Sequence, residues 1–506
     1  MASEFWISAA WSSALIVLGV CLISLAVALP SAWLIERTDL PGARFLHKVF
    51  TLSYALPSYL LAIAWVTLAN PTVGWLNLLA KRWFGVSAAV NIYHLGGIVF
   101  IEASVLFTIL YFSFWSGLRQ MDPSLEEAAR LSGASPLRVF LSITAPLLRH
   151  NILAGLVAVG LASLASFGVP AIIGAPARTF VLTTAIYSRI QEGSQTAFNE
   201  ALLIALEMSA VTLGLVVLAG LFSKRKFSLL GGKAARPALV ALGTWRYPLA
   251  ALCYGVWSLM VALPLGALIL SGLFAEPGRL GWDNLSLRWW RYVLFDLPGF
   301  HLALNNSLIA STSAVALVLA LSLAVALMQW QGNYKRKRGW AFLGLLAERG
   351  AVFCYSLPGT VLALSLIILF SGMAVMDTLG LLVLAYTVKY ATLGMQTVRP
   401  SALLVHPSLI ESAQLAGAGF FHRLRSIWLP LLKAPLLAGA LLVFMPCFSE
   451  LTMSILLYGP GTENLGVVLF TLQEYADRSS AAVVGTLLLA AVLAVRIFSG
   501  RLRRAD

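Results

Sequence analysis

Ionisable side chains inside long apolar segments are the groups best placed to do chemistry in this 506-residue sequence. Glu450 lies deep in one such segment, and Glu102, Glu207 and Lys389 lie in three others. A charge inside a membrane span is costly, so it indicates a function or a specific partner. Carboxylate oxygens suit hard cations, which makes Glu450 the one candidate metal contact, but a structural hydrogen bond or a place in an external vestibule explains it equally well. For the other three we expect helix–helix hydrogen bonds or snorkelling.

Motifs for catalysis are missing from the sequence. The residues His94, His150 and His301 are scattered and do not form a metal-binding pattern. A phosphate-binding loop needs Gly, four residues and then Gly-Lys-Ser/Thr, but the only Gly-Lys pair, Gly232-Lys233, is followed by Ala234. We therefore predict that the chain is not an enzyme, binds no cofactor itself and leaves any ATP hydrolysis to another subunit.

The composition indicates an all-α membrane protein. Hydrophobic residues make up 59% of the chain and charged residues 11%, and the mean hydropathy is +0.87, whereas a soluble domain has about 25% charged residues. Runs of about 20 apolar residues predict eleven transmembrane helices, near residues 11–35, 49–69, 96–118, 150–173, 199–222, 247–274, 302–330, 350–372, 378–398, 434–457 and 482–498. The lipid bilayer is therefore an expected partner.

The basic residues predict the orientation in the membrane. Of the 35 Lys and Arg residues, 26 fall in one alternate set of loops and the C-terminus. Such residues are retained on the cytoplasmic side, so we predict an outside N-terminus and a cytoplasmic C-terminus. The formal charge of +14 therefore reflects topology, and no nucleic-acid partner is expected.

An internal repeat divides the chain into two halves. Residues 122–148 align with residues 406–432 at an offset of 284, with 13 of 27 positions identical. A second block, around Leu56-Pro57, matches Leu357-Pro358 at an offset of 301, so the first half holds 17 extra residues, which we place in the loop Asn70 to His94. Both blocks keep the same orientation, so the halves are parallel. We predict a first half at 1–222 with five helices, a basic cytoplasmic linker at 223–246, and a second half at 247–506 with six.

The repeated segments predict two cytoplasmic docking loops. In the first, Asp122 suits an N-cap, Pro123 suits the first helical position, and Gly133 suits a left-handed helix end. His406 is a weaker cap in the second copy, which keeps Gly417. Small residues leave a face that a partner can approach closely. The alternative is that the loops merely connect helices and resemble each other through duplication.

These segments resemble the "EAA" loop of binding-protein-dependent ABC importer permeases. The matching residues are Glu127, Ala128, Ala129, Gly133, Ile143 and Pro146 in the first copy and Glu411, Ser412, Ala413, Gly417, Ile427, Leu429 and Pro430 in the second. Two departures are Ala145 for Leu and Ser412 for Ala. The fused layout, with Leu56-Pro57-Ser58-Tyr59 and Ser166-Phe167-Gly168-Val169-Pro170, looks most similar to ferric-iron permeases. Because members of the family often begin each half with an extra helix that the first half lacks, a count of twelve stays open.

The resemblance implies an inner-membrane permease gripped by two cytoplasmic ABC ATPase subunits, which would bind ATP and magnesium, and served by a periplasmic solute-binding protein. It implies that the helix after each docking loop lines the translocation path, so that Ser449 and Glu450 would face a passing cation with Ser166 across the pseudo-axis. Ferric iron is the expected substrate; thiamine, phosphonate or another small solute stays open. An ion-coupled secondary transporter is the rival, but it has no use for paired docking loops.

Overall fold

The chain is almost entirely helical. The computed structural model describes residues 2–223, 239–334, 338–475 and 477–505. Helix accounts for 79% of the chain, and β-structure within the described residues is limited to two isolated bridges, Thr38–Val240 and Phe274–Leu285. In lipid, helices satisfy all backbone hydrogen bonds within one segment. The predicted all-α membrane fold is therefore confirmed.

Helices α1 to α14 begin and end as follows: α1 Ala2–Arg37, α2 Ala43–Ser53, α3 Ser58–Ala69, α4 Trp75–Phe84, α5 Leu95–Gln120, α6 Ser124–Leu131, α7 Pro136–Val139, α8 Ala145–Leu147, α9 Arg149–Leu164, α10 Leu182–Gln191, α11 Gln195–Ser223, α12 Arg246–Trp257, α13 Leu263–Ser271 and α14 Arg288–Arg291. A π-helical turn joins α12 to α13, so that Gly243–Ser271 is one apolar span.

The remaining helices are α15 Phe300–Tyr334, α16 Arg338–Ser356, α17 Gly359–Phe370, α18 Leu379–Leu403, α19 Pro407–Leu415, α20 Phe420–Arg423, α21 Leu429–Leu431, α22 Lys433–Phe448, α23 Ser454–Leu457, α24 Leu465–Glu474 and α25 Arg478–Ala505.

The spans of the structure correspond closely to the eleven that the sequence predicts. Among the described residues, six helices are long and apolar enough to cross a membrane, and ten spans result when each of four bent pairs counts as one. The one predicted span that this count omits, 378–398, corresponds to α18, which has 25 residues. A helix of that length reaches about 37 Å, which exceeds a hydrocarbon core of about 30 Å.

The internal repeat is visible in the way the helices bend. The pair α2 and α3 bends by 102° and the pair α16 and α17 by 114°. Each break contains the proline of the second repeated block, because α3 begins directly after Pro57 and α17 directly after Pro358. The helical stretch Pro136–Leu147 meets α9 at 72°, and the matching stretch Phe420–Leu431 meets α22 at 74°. Proline disfavours helical geometry in the residue before it, which explains the first pair of bends.

The extra residues of the first half lie where the repeat predicts them. Between α3 and α5 the chain has 25 residues, whereas between α17 and α18 it has 8, a difference of 17. The insertion forms the short helix α4. Asn77 of α4 is buried and its amide donates to the carbonyl groups of Asn70 and Val90, at 2.8 and 2.6 Å. The insertion is therefore a folded element bonded to its own loop.

Contacts group the chain into two compact units, Met1–Tyr292 with Leu472–Thr486, and Val293–Thr471 with Leu487–Asp506. In the first unit α1 packs on α5 and α9, and α3 packs on α13. In the second unit α15 packs on α18 and α22 in the same way. The boundary at 223–246 follows the repeat and stays a prediction, and residues 224–238 of that linker lie outside the described residues.

Candidate functional site

The first repeated segment is a capped helix closed by a left-handed glycine. The carboxylate of Asp122 accepts a hydrogen bond from the backbone N–H of Ser124 at 2.9 Å, and this bond holds the pKa of Asp122 below its ordinary value. Helix α6 ends at Leu131, and Gly133, two residues later, has a φ of +85°. The N–H of Ala134 then donates to the carbonyl of Ala129 at 3.1 Å, the long bond of a Schellman ending. The predicted stop is confirmed, whereas the start differs by one residue: Pro123 stands at the N-cap position, and Asp122 bonds to Ser124, the first residue of α6, from the position before it.

The second segment repeats this geometry with a different cap. The Nδ1 atom of His406 accepts from the N–H of Ser408 at 3.3 Å, longer than the bond at Asp122, which agrees with the weaker cap expected. Gly417 has a φ of +80°, and Ala418 donates to the carbonyl of Ala413 at 2.9 Å. The two helices α6 and α19 are therefore built on one plan.

Both segments expose apolar side chains at the same positions of the repeat. Leu131 and its equivalent Leu415 are 90% and 91% exposed. Leu125 and Leu409 are also exposed, as are Leu137 and Phe421. Exposed apolar residues that cluster on a surface, and do so twice, mark a contact surface. We call the surface of 122–148 docking surface 1 and that of 406–432 docking surface 2.

The EAA residues lie on these surfaces. Ala128, Gly133 and Pro146 are exposed, and Glu127, Ala129 and Ile143 are half-buried. In docking surface 2 Glu411, Ser412, Gly417, Leu429 and Pro430 are exposed, and Ala413 and Ile427 are half-buried. The structure therefore brings the sequence-predicted docking residues of each copy together at one surface of that copy.

The end of docking surface 1 borders an open groove of about 460 Å³. Leu125, Ile143 and Pro146 line it together with His150. Ile143 belongs to a π-helical turn, Phe140–Thr144, and the second copy has the same turn at Leu424–Trp428. Because π-helical turns are rare and concentrate at functional sites, their repetition supports a shared role for both segments.

Sequence reasoning missed the buried side of the first segment. Glu126, next to Glu127, is only 4% exposed and forms an ion pair with Arg37. The missed signal lies in the repeat, because Glu126 aligns with Ile410, and an isoleucine at the equivalent position indicates burial.

The predicted path residues lie directly after the ends of two helices, Ser166 after α9 and Ser449 and Glu450 after α22. The two carboxylate oxygens of Glu450 accept hydrogen bonds from the N–H groups of Met453 and Ser454 and from the hydroxyl of Ser454, at 2.6 to 3.1 Å. Glu450 is 6% exposed, so its carboxylate is engaged with this turn. Ser449 donates to the carbonyl of Met445, and the Ser166 hydroxyl is buried. That these three residues line a path stays a prediction.

The other ionisable residues in the spans differ in their surroundings. Glu102 is fully buried and accepts from Ser163, which joins α5 to α9. The ammonium group of Lys389 donates to the carbonyl groups of Tyr355 and Leu357 at the break between α16 and α17. Both make the helix–helix bonds expected, whereas Glu207 is exposed on α11. In the described part of the chain no group of three or more His, Cys, Asp or Glu side chains could hold a metal ion.

The amino-acid sequence is similar to a known protein family and to several known proteins. The model of the binding-protein-dependent transport system inner membrane component matches residues 28–227 and 340–505. A probable ABC transporter permease of Sinorhizobium fredii is 27% identical over 80% of this chain and 72% of that protein. An Fe(3+)-transport system permease of Haemophilus influenzae is 24% identical over 90% of this chain and 82% of its own. A molybdenum transport system permease of Escherichia coli is 28% identical over 40% of this chain and 90% of its own.

Proposed function

Because the chain belongs to the family of binding-protein-dependent transport system inner membrane components, we propose that it supplies both halves of the permease of one ATP-driven importer. The observation that carries this proposal is the pair of docking surfaces, each with a side-chain hydrogen bond at the start of its helix, a left-handed glycine and an exposed leucine at the helix end. Two equivalent surfaces in one chain suit two ATPase subunits. ATP and magnesium then bind at those partners, and a periplasmic binding protein delivers the solute.

Ferric iron is the substrate we propose. The iron-transport relative from Haemophilus influenzae aligns over 90% of this chain and therefore over both halves, whereas the molybdenum relative aligns over 40%. Agreement across both halves is the stronger guide, since the path of a two-halved permease needs residues from both. Thiamine, phosphonate and molybdenum compounds are the competing solutes. We also propose that the chain lies in the inner membrane with its N-terminus outside and its C-terminus in the cytoplasm.

The first test is purification of the intact chain from its native host in detergent, with identification of the proteins that accompany it. We expect a Walker-type ATPase and a periplasmic iron-binding protein. Leu131→Glu and Leu415→Glu should each reduce the amount of ATPase recovered, because each places a charge in a surface that the partner desolvates. Leu287→Glu is the matched control, since Leu287 is 67% exposed and lies outside both docking surfaces.

The outcomes separate the class of protein from its substrate. Unchanged ATPase recovery with both leucine variants would contradict the docking role. Recovery of an ATPase together with a binding protein for another solute would keep the permease and replace iron. Uptake of ⁵⁵Fe(III) into vesicles that contain the complex gives the direct measurement of the substrate.

A further inference from the structure

The two docking helices are attached to the membrane part of their own halves by different chemistry. In the first half the carboxylate of Glu126 lies 2.7 Å from the Nε atom of Arg37. Its other oxygen accepts from the hydroxyl of Thr144 at 2.6 Å. All three residues are buried, at 4%, 3% and 0% exposure. The buried face of α6 is therefore held by an ion pair and an additional hydrogen bond.

Arg37 connects this pair to two spans. It is the last residue of α1, and its Nη2 atom donates to the carbonyl of Leu118 near the end of α5 at 2.7 Å. Its backbone carbonyl accepts from the N–H of Val240, at 2.9 Å. One side chain therefore joins the docking helix to α1 and α5, and Val240, in the described end of the linker, is bonded to the same residue.

The second half replaces the polar contact with apolar packing. Ile410 stands at the position of Glu126, and Trp428 at the position of Thr144. Trp428 packs edge-on against Trp330 of α15, with ring centroids 5.2 Å apart, and Ile410 belongs to the same buried cluster. The buried face of α19 therefore makes this contact through Ile410, an apolar side chain, where α6 has the carboxylate of Glu126.

The two contacts respond differently to force. Apolar packing is non-directional, so it transmits displacement only where large side chains are closely packed, as Trp428 and Trp330 are. A buried ion pair is directional, and separating its members leaves uncompensated charge, which is strongly unfavourable. Arg37 and Glu126 therefore hold α6 at a fixed position on α1 and α5. Packed side chains, hydrogen bonds and ion pairs with a defined geometry are the contacts that carry coupling between distant sites.

We propose that Arg37 is a positioning residue that passes movement of the first docking helix to α1 and α5, and that the second half transmits movement through the apolar contact of Ile410 and Trp428 instead. The proposal rests on the proposed function, since it takes α6 and α19 as the contacts for the ATPase subunits. It predicts that removal of the polar contact disconnects one half only.

The test compares single and paired variants in the complete complex. Glu126→Gln leaves Arg37 without its counter-charge and should lower the thermal stability. The pair Arg37→Met with Glu126→Leu removes both charges without supplying the aromatic packing that Trp428 makes on Trp330 in the second half, and it should recover the stability. Thr144→Val keeps the ion pair and should have a partial effect. Ile410→Val is the control in the second half.

Hydrogen exchange with and without a non-hydrolysable ATP analogue and magnesium gives the readout. In the native complex we expect the nucleotide to change exchange in α6 and also at the ends of α1 and α5. In the Arg37→Met and Glu126→Leu variant the change at α6 should remain, while the change at α1 and α5 is lost and uptake falls at least tenfold. The response of α15 and α18 should be unaltered.

The outcomes distinguish this proposal from the proposed function. If the paired variant is stable and still passes the nucleotide response to α1 and α5, Arg37 is merely structural and the inference is overturned. If uptake recovers together with stability, it is overturned as well. If the native chain retains no ATPase, the proposed function itself fails.

Discussion

The hydroxyl of Ser163 donates a hydrogen bond of 2.5 Å to the carboxyl group of Glu102, and neither side chain is accessible enough to exchange this partner for water. The bond joins α5 to α9, the span that follows the first docking surface. In the second half the position of Glu102 holds Tyr386, whose hydroxyl contacts Ser454 at 2.7 Å, and Ser454 in turn donates to Glu450. Each half thus has a buried carboxyl group in this hydrogen-bonded position, Glu102 on α5 in the first half and Glu450 after α22 in the second.

Ser163→Ala should lower the stability of the purified protein, because it leaves the buried carboxyl group of Glu102 without this donor. The expected cost is about 1–3 kcal/mol. Ser104→Ala is the matched control, since the hydroxyl of Ser104 is equally buried but donates to the carbonyl of Phe100 in its own helix. Thermal unfolding in detergent measures both, and an equal loss in the two variants would contradict a special role for the pair.

Gly417→Ala should loosen the end of α19 without unfolding the protein. A Cβ at this position meets no atom within 4 Å, but the φ of +80° is one that residues with side chains adopt at a cost. We expect a local destabilisation of about 1–3 kcal/mol, visible as faster hydrogen exchange in α19. Gly419→Ala is the control, because Gly419 has a φ of −67° and also has free space; similar effects at the two positions would exclude backbone strain as the cause.

Removing the Asp122 cap should increase hydrogen exchange at the start of α6. Asp122→Ala loses the acceptor for the N–H of Ser124, whereas Asp122→Asn keeps an oxygen there and should behave more like the native protein. Since the hydrogen bond lowers the pKa of Asp122 in the folded state, its contribution is present above the unfolded pKa and is lost as the pH falls through the folded pKa. If the hydrogen-exchange rate at the start of α6 changes neither on acidification nor in Asp122→Ala, this capping role is refuted.

Glu411→Lys should abolish transport and weaken ATPase binding while the permease stays folded. Glu411 is exposed at docking surface 2, so reversal of its charge acts on the partner and leaves the interior unchanged. A partner surface matched to a carboxylate repels an ammonium group. Glu474→Lys is the control, because Glu474 is exposed at the end of α24, outside both docking surfaces. Normal ATPase retention and uptake by Glu411→Lys would show that this residue is outside the interface.

The sequence by itself determined the helical class, the duplication and the local form of the docking segments. The length of an apolar run predicts a transmembrane helix, because the hydrocarbon core of the bilayer has a nearly constant thickness. The 17-residue insertion follows from two alignment offsets, and its place between α3 and α5 agrees with the structure. Gly133 and Gly417 end their helices as predicted, because a left-handed residue is a local requirement that glycine meets most easily.

Only the tertiary structure decided which ionisable groups are buried and what they contact. Glu126 and Glu127 are neighbours on one short helix, where successive residues point about 100° apart. Glu126 forms a buried ion pair with Arg37, whereas Glu127 is half-buried on the docking surface. Arg37 lies 89 positions earlier in the chain, too far for any periodicity to connect the two. Likewise the sequence left Glu450 with two interpretations, and its hydrogen bonds to Met453 and Ser454 arise only because α22 ends at Phe448 and the chain turns. Local rules act over a few residues, whereas a buried charge finds its partner through the fold.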